Sequence, residues 1–179
     1  LDLARGPHVV LPYALDTNDM RFQPGGGFVH GEDFTRYCLA GFERLMRWSR
    51  GVDTELFRPR KVRSFGKKPV FLYVGRIAVE KNIKAFLDVD LPAGKVLVGS
   101  GPQAEELARR HPDVLFAGPM EGEELARAYA SADVFVFPST TDTAGNVVRE
   151  AQASGLPVGV SDVGGPREQI VPGVTGLVC

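Results

Sequence analysis

The stretch ADVFVFPSTTDTAGNVVREAQASGLPV, residues 132–158, passes from strand to helix and into a second strand. DVFVFPS (133–139) is an aromatic and β-branched run closed by Pro and Ser, the pattern of a strand buried on both faces. Gly145–Ser154 reads as a helix. Val147, Val148, Ala151 and Ser154 make its inward stripe, and Arg149 points the opposite way. LPVGVSD (156–162) resumes the strand pattern. Strand, helix and strand with short links predict a right-handed βαβ unit and therefore a parallel sheet.

The same rhythm extends outward in both directions. PVFLYVG (69–75), KVLVGSG (95–101), DVLFAG (113–118) and VTGLVC (174–179) are short apolar runs bounded by Gly, Pro or Asp. QAEELARR (103–110) and EELARAYASA (123–132) are rich in strong helix formers, and Leu125, Ala128 and Tyr129 recur at helical spacing. Residues 69–179 thus predict an α/β domain with a doubly wound, Rossmann-like parallel sheet. Residues 1–60 lack this rhythm and predict an irregular N-terminal appendage. HVVLPY (8–13) reads as one strand, QPGGGFVHGEDF (23–34) as loop, and GEDFTRYCLAGFERLM (31–46) as a helix with Phe34, Tyr37, Cys38, Phe42 and Leu45 near one face. RGVDTELFRPRKVRSFGKKP (50–69) is polar and basic and reads as a linker.

With 179 residues, 44% hydrophobic and 24% charged, the chain has globular composition. A formal net charge of −1 supplies no basic surplus, so nucleic acid is not an expected partner. Cys38 and Cys179 lie too far apart in sequence for a disulfide framework or a metal motif, and a reducing compartment is the default. No stretch is long and apolar enough to span a bilayer, and residues 1–10 do not read as a signal peptide. The chain opens without Met and stops in what reads as mid-strand, so a piece of a larger protein is expected.

The chemistry gathers at two places. Asp142 lies on the loop before the 145–154 helix, and Glu150 lies at the margin of its apolar stripe. Both sit near the carboxyl end of a strand, where open α/β sheets bind ligands. The free N–H groups around Ala144, Gly145 and Asn146 are an anion site, and two carboxylates beside it suit the hydroxyls of a sugar phosphate. The plainer reading is a turn cap at Asp142, contributing roughly 1 kcal/mol, with Glu150 a solvated helix residue. The second place is VGRIAVEKN (74–82). Arg76 follows the closing Gly75, and Lys81 precedes Asn82, an N-cap candidate. Cations at a helix start are mildly unfavourable unless an anion fills the gap, and Arg can fork onto phosphate while Lys acts as a point charge. Alternatively, Arg76 is simply exposed and Lys81 pairs with Glu80. Gly99 and Gly101, and likewise Gly164-Gly165-Pro166, either let backbone approach a ligand or only make turns.

In order along the chain, WSRGVDTELFRPR, VGRIAVEKN, GSGP, ADVFVFPSTTDTAGNVVREAQASGLPV and GGPREQIVPGVTG make residues 39–179 resemble glycosyltransferase family 4, retaining enzymes of GT-B fold. The acid-x7-acid hallmark falls on Asp142 and Glu150. Asp142 stands where the family commonly has Glu, and Ala144 where it often has an aromatic, which implies looser donor packing. The resemblance implies the Rossmann-like donor half of a GT-B enzyme, truncated at its C-terminus. It would transfer a hexose from a UDP- or GDP-linked nucleotide sugar to a glycan or lipid acceptor. Arg76 and Lys81 would hold the diphosphate, and Asp142 with the Ala144–Asn146 amides would face donor sugar and phosphate. Glu150 would bind ribose hydroxyls, and Gly99, Gly101, Gly118 and Met120 would line the nucleotide pocket. No metal and no other cofactor is implied. The acceptor domain is missing, so weak donor binding with little or no transfer is expected of this chain. The resemblance further implies a cytoplasmic place, with peripheral attachment to the inner membrane face through that missing domain.

LPYALDTNDMRF and GEDF make residues 1–38 resemble the C-terminal part of a polysaccharide deacetylase or allantoinase-like hydrolase. The implied division is 1–38 deacetylase-like fragment, 39–68 helix and linker, and 69–179 nucleotide-sugar domain. Asp16, Asn18 and Asp19 would be relics of a site, and His8 and His30 read as surface residues without a third ligand. Competing readings are a non-catalytic nucleotide-sugar-binding module, a metal-dependent hydrolase governed by the N-terminal segment, and a non-functional fragment.

Overall fold

The computed structural model describes residues 51–66 and 69–179, together with Glu32, Arg36 and Leu39, which are helical. The chain divides into two compact units, Leu1–Arg50 and Gly51–Cys179. The strand expected at 8–13, His8, His30, Asp16, Asn18, Asp19 and Cys38 lie outside the described residues.

Six strands alternate with four helices in Gly51–Cys179. They are β1 Val70–Val74, α1 Ile83–Leu87, β2 Gly94–Val98, α2 Ala104–Arg110, β3 Leu115–Gly118, α3 Gly122–Ser131, β4 Val134–Phe137, α4 Asn146–Ala153, β5 Val158–Val160 and β6 Gly176–Val178. Two 3-10 turns, Val79–Lys81 and Gly165–Gln169, precede α1 and β6. Every strand pair is parallel, in the order β3-β2-β1-β4-β5-β6. This is the doubly wound sheet that the alternating pattern predicts. The chain builds outward from β1 to β3, then crosses back to place β4 on the other side of β1, with Phe71 beside Val134 and Leu72 beside Phe135. Winding direction reverses between β1 and β4. Open α/β sheets have their ligand crevice at such a reversal, beyond the carboxyl ends of the strands; here the loops leaving β1 and β4 meet there, with Thr141 Oγ1 donating to the Glu80 carbonyl at 3.3 Å.

The central strands are apolar at consecutive positions because helices cover them: Leu72, Tyr73, Leu97, Val98 and Phe135 are all buried. Lys95 is buried in β2 as well, and its Nζ donates to the Leu87 carbonyl at 2.6 Å and to that of Val89, satisfying carbonyls left open where α1 ends. The helix expected at 145–154 forms as α4, with Val148, Ala151 and Ser154 buried.

The segment read as linker is packed in its described part. Asp53 accepts from the Glu55 and Leu56 N–H groups at 3.0 Å each, making a side-chain-closed turn that presents Phe57. Phe57 is buried and meets the Tyr129 ring edge-on, with centroids 5.7 Å apart. Arg60 pairs with Glu123, and the Ser64 N–H donates to Ser131 Oγ at 3.1 Å, so residues 51–64 strap along α3. The polar composition hid this. The buried Phe57 ring, worth about 1.5–3 kcal/mol, is the main anchor, and Val52, Leu56 and Phe65 pack beside it against the core.

A cavity of about 550 Å³ lies between α1 and the sheet, lined by Phe71, Phe86, Val134, Val136, Gly159 and Leu177 among others. Its walls carry no Asp, Glu, Lys, Arg or His, so it supplies no cationic side chain to an anion. Of the charged residues singled out in the sequence, Arg76, Lys81 and Asp142 lie instead on the segments that follow β1 and β4, and Glu150 lies within α4.

Candidate functional site

The three loops that follow β1, β2 and β3 are zipped together by backbone. The Gly75 N–H donates to Val98 O at 3.0 Å, the Ile77 N–H to Ser100 O at 2.9 Å, and the Gly99 N–H to Gly118 O at 2.8 Å. A Cβ at Gly99 would lie 1.9 Å from the Gly75 carbonyl oxygen, and one at Gly101 would lie 2.2 Å from that of Ile77. These two glycines therefore admit neighbouring protein backbone, which accounts for both without a ligand. Gly118 has φ +79 with open space where a Cβ would stand, and Met120 is half-buried against the core.

Lys81 ends the 3-10 turn after β1, and Asp142 lies on the loop after β4. Because β1 and β4 are neighbours, residues 61 apart in sequence meet: Lys81 Nζ donates to both Asp142 oxygens, at 2.9 and 2.8 Å. Both side chains are about one-fifth exposed, 19% and 22%. Lys81 does not pair with Glu80; Arg76 does, at 3.5 Å and well exposed. Asn82 adopts φ 51, and that left-handed residue joins the turn to α1 without a side-chain cap. Tyr73, buried at the end of β1, donates its hydroxyl to the Arg76 carbonyl at 2.9 Å. Burial first, then the charges of Asp142 and Glu80, push the Tyr73 hydroxyl far above its ordinary range, so it remains a donor that fixes the Arg76 backbone.

Asp142 is also held from below. The Gly165 N–H donates to its carbonyl at 2.9 Å, and a Cβ at Gly165 would stand 1.8 Å from Thr143 O. The Gly164-Gly165-Pro166 turn is thus a close-packed clamp on the 142–144 loop. Gln169 extends the clamp: its side chain bonds the Ala144 carbonyl and accepts from Arg149 Nε at 3.2 Å, while its carbonyl accepts from Gln152 at 2.9 Å. Gly145, with φ 61, opens α4, and no side chain caps the helix. The N-terminal amides of α4 thus begin immediately beyond the Lys81–Asp142 pair.

Glu150, half-buried in the second turn of α4, accepts from the Tyr129 hydroxyl at 2.9 Å. Burial raises its pKa above the usual carboxylate range, and the Tyr129 bond pulls it back. Tyr129 is fully buried; burial, followed by the Glu150 charge, keeps its hydroxyl protonated. Among the described residues, no group of three or more His, Cys, Asp or Glu gathers as a metal site.

The family model described as "Glycosyl transferases group 1" matches residues 68–179. This chain belongs to the group 1 glycosyl transferases. It is 42% identical over 147 residues to a GDP-mannose-dependent alpha-mannosyltransferase of Mycobacterium tuberculosis, covering 77% of this chain and 39% of that protein. It is 40% identical over 166 residues to the sulfoquinovosyl transferase SQD2 of Arabidopsis thaliana, covering 83% of this chain and 32% of that protein. Its fold matches the sucrose-phosphate synthase of Thermosynechococcus elongatus with a TM-score of 0.64 and 27% identity, over 84% of this chain and 49% of that one. The chain thus spans well under half the length of these two curated relatives, and its sheet is the Rossmann-like half of the GT-B fold. The family match begins at residue 68, and the deacetylase resemblance of residues 1–38 lies outside both that match and the described residues.

In this group 1 transferase the structure brings Arg76, Lys81, Asp142 and the Ala144–Asn146 turn to the β1/β4 crevice. Glu150 follows on the same helix, engaged from the side by α3. Sequence reasoning missed Tyr73 and Gln169 as scaffold. By spacing alone, Tyr129 is one of three apolar positions on a helix. A tyrosine rather than a phenylalanine on a buried stripe was the available signal, since a buried hydroxyl needs a partner.

Proposed function

We propose that residues 69–179 bind the donor of a retaining, family 4-type hexosyl transfer, a UDP- or GDP-linked sugar, and that the complete protein passes the sugar to a glycan or lipid acceptor. The observation that carries this reading is the Lys81–Asp142 pair at the winding reversal of the sheet, with Arg76 on the same loop and the α4 amides beside it. The names of the relatives support it: one is GDP-mannose-dependent and the other a sulfoquinovosyl transferase.

Arg76 and Lys81 hold the diphosphate. Breaking the sugar–phosphate bond leaves negative charge on the β-phosphate, and these cations, with the amides at the start of α4, lie where that charge develops. Asp142 and the Ala144–Asn146 turn face the donor sugar, and Glu150 accepts from ribose hydroxyls. The backbone of the Gly99–Gly101 loop, with Gly118 and Met120, borders the base. The acceptor attacks from the face the leaving group departs, so configuration is retained without a protein nucleophile, and the transfer needs no metal. Acceptor binding belongs to the part of the relatives that this chain does not span, and with it any attachment at the cytoplasmic membrane face. No described helix is long and apolar enough to cross a membrane. Residues 1–38 are read as a deacetylase-like remnant with no part in the transfer.

A thermal-shift titration with GDP-mannose, UDP-glucose and ADP-glucose tests the reading. One of them at a hundred times its Kd stabilises the fold by about 2.7 kcal/mol, and Arg76→Ala and Lys81→Ala reduce the shift. No shift with any nucleoside diphosphate overturns it.

A further inference from the structure

We propose that Tyr129 is a positioning residue for Glu150: from α3, its hydroxyl fixes the carboxylate in the one orientation that leaves a free oxygen for a ligand hydroxyl. Tyr129 Oη donates to Glu150 Oε2 at 2.9 Å, and Oε1 accepts no hydrogen bond among the described residues. The tyrosine itself has no freedom to move. It is fully buried, lies edge-on to Phe57 at 5.7 Å, and packs against Phe135 at 5.6 Å. Phe57 comes from the strap, so the strap, α3 and α4 form a continuous chain of contacts ending at the carboxylate. A flexible Glu side chain loses rotamer entropy when it binds a ligand; here that loss is met during folding. The identity of the ligand hydroxyl as ribose rests on the proposed donor-binding function, whereas the Tyr129–Glu150 geometry does not.

No other charged group competes for Glu150. Arg149 on its own helix is turned to Gln169, and Glu123 of α3 is taken by Arg60. Arg167 of the Gly165–Gln169 turn donates to the Asp162 carbonyl, while Glu124, Arg127 and Glu168 are exposed. The facing strands β4 and β5 carry no charge.

Tyr129→Phe in the full chain tests the assignment with two readouts. The first is the Glu150 titration in the free protein, followed by carboxyl-carbon NMR and assigned with Glu150→Gln. The Tyr129 bond favours the charged form, so its removal shifts the Glu150 midpoint to higher pH. The second is the affinity for GDP and UDP from pH 5 to 8. It falls about tenfold at neutral pH, equivalent to about 1.4 kcal/mol, and its acid limb moves upward with the Glu150 midpoint. A midpoint that does not move overturns the positioning role. If wild type binds neither nucleotide, the donor-binding reading fails, while the first readout still decides for or against Tyr129. Should Tyr129→Phe not fold, Phe57→Leu tests the same chain of contacts. It moves the midpoint in the same direction by less, and an unmoved midpoint there is equally fatal.

Discussion

The two carboxylates of this domain are held in opposite ways. Asp142 is answered by a full charge, the Lys81 ammonium, at 2.8 Å across the crevice. Glu150 is answered by a neutral hydroxyl at 2.9 Å from inside the core. A charge-paired acid can be exchanged: under the proposed function, an incoming diphosphate would compete with Asp142 for Lys81 and, being more highly charged, would displace it. A hydroxyl-held acid is exchanged less readily, because the other acceptor of the Tyr129 hydroxyl, the Val147 carbonyl, stands farther off at 3.4 Å and the buried ring has no room to turn. One corner of the site responds to charge, and the other presents a fixed shape.

The largest effect that would separate the two corners comes from Phe57→Ala. Removing a buried aromatic costs about 3 kcal/mol of stability, read as a drop in the chemical-denaturation midpoint. It loosens the Tyr129–Glu150 corner and leaves the Lys81–Asp142 pair as it is. Lys81→Ala acts on the other corner. Losing a charge-assisted contact worth about 1.5–3 kcal/mol weakens GDP or UDP binding by roughly ten- to a hundredfold in calorimetry. Asp142→Asn should do the reverse for the same ligands. It frees Lys81 and raises affinity for the diphosphate several-fold, while affinity for the intact nucleotide sugar does not follow. If Asp142→Asn weakens GDP and UDP as strongly as Lys81→Ala, the exchange picture is wrong.

The smallest effect concerns stability alone. Burial raises the Glu150 pKa in the folded state. A group whose folded pKa lies above its unfolded value favours the fold below the unfolded pKa, and that contribution is lost as pH rises through the folded pKa. Glu150 is therefore a liability at neutral pH. Glu150→Gln raises the thermal midpoint at pH 7 and gains nothing at pH 4. Equal gains at both values would show that the carboxylate carries no buried-charge cost.

Much of the fold was legible. Four- to six-residue apolar runs alternating with Ala-, Glu- and Leu-rich segments allow few arrangements other than a wound parallel sheet, and α4 starts and stops within a residue of the Gly145–Ser154 estimate. Residues 51–64 were not legible, because composition averages over a window and the packing is carried by a few apolar residues, Phe57 with Val52 and Leu56, among many polar ones. The glycine loops were ambiguous for a different reason. Close approach is evident from the residue type, but whether the partner is a phosphate or the Gly75 and Ile77 carbonyls depends on a neighbouring loop. From sequence, Lys81 reads either as awaiting an anion or as paired with Glu80. Its partner in the protein, Asp142, was singled out separately as a sugar ligand, and nothing local joined the two.

What the sequence determined by itself is what depends on local period: which segments are strands, which are helices, and that Asp142 and Glu150 flank the start of one helix. Backbone hydrogen bonding imposes those periods over a few residues, so they survive without tertiary context. Only the tertiary structure decided who faces whom. Lys81 meets Asp142 because β1 and β4 lie side by side, and Tyr129 meets Glu150 because α3 packs against α4. Such pairs span 61 and 21 residues of chain. Their energies are set by the order in which strands assemble, a property of the whole sheet that no window of sequence contains.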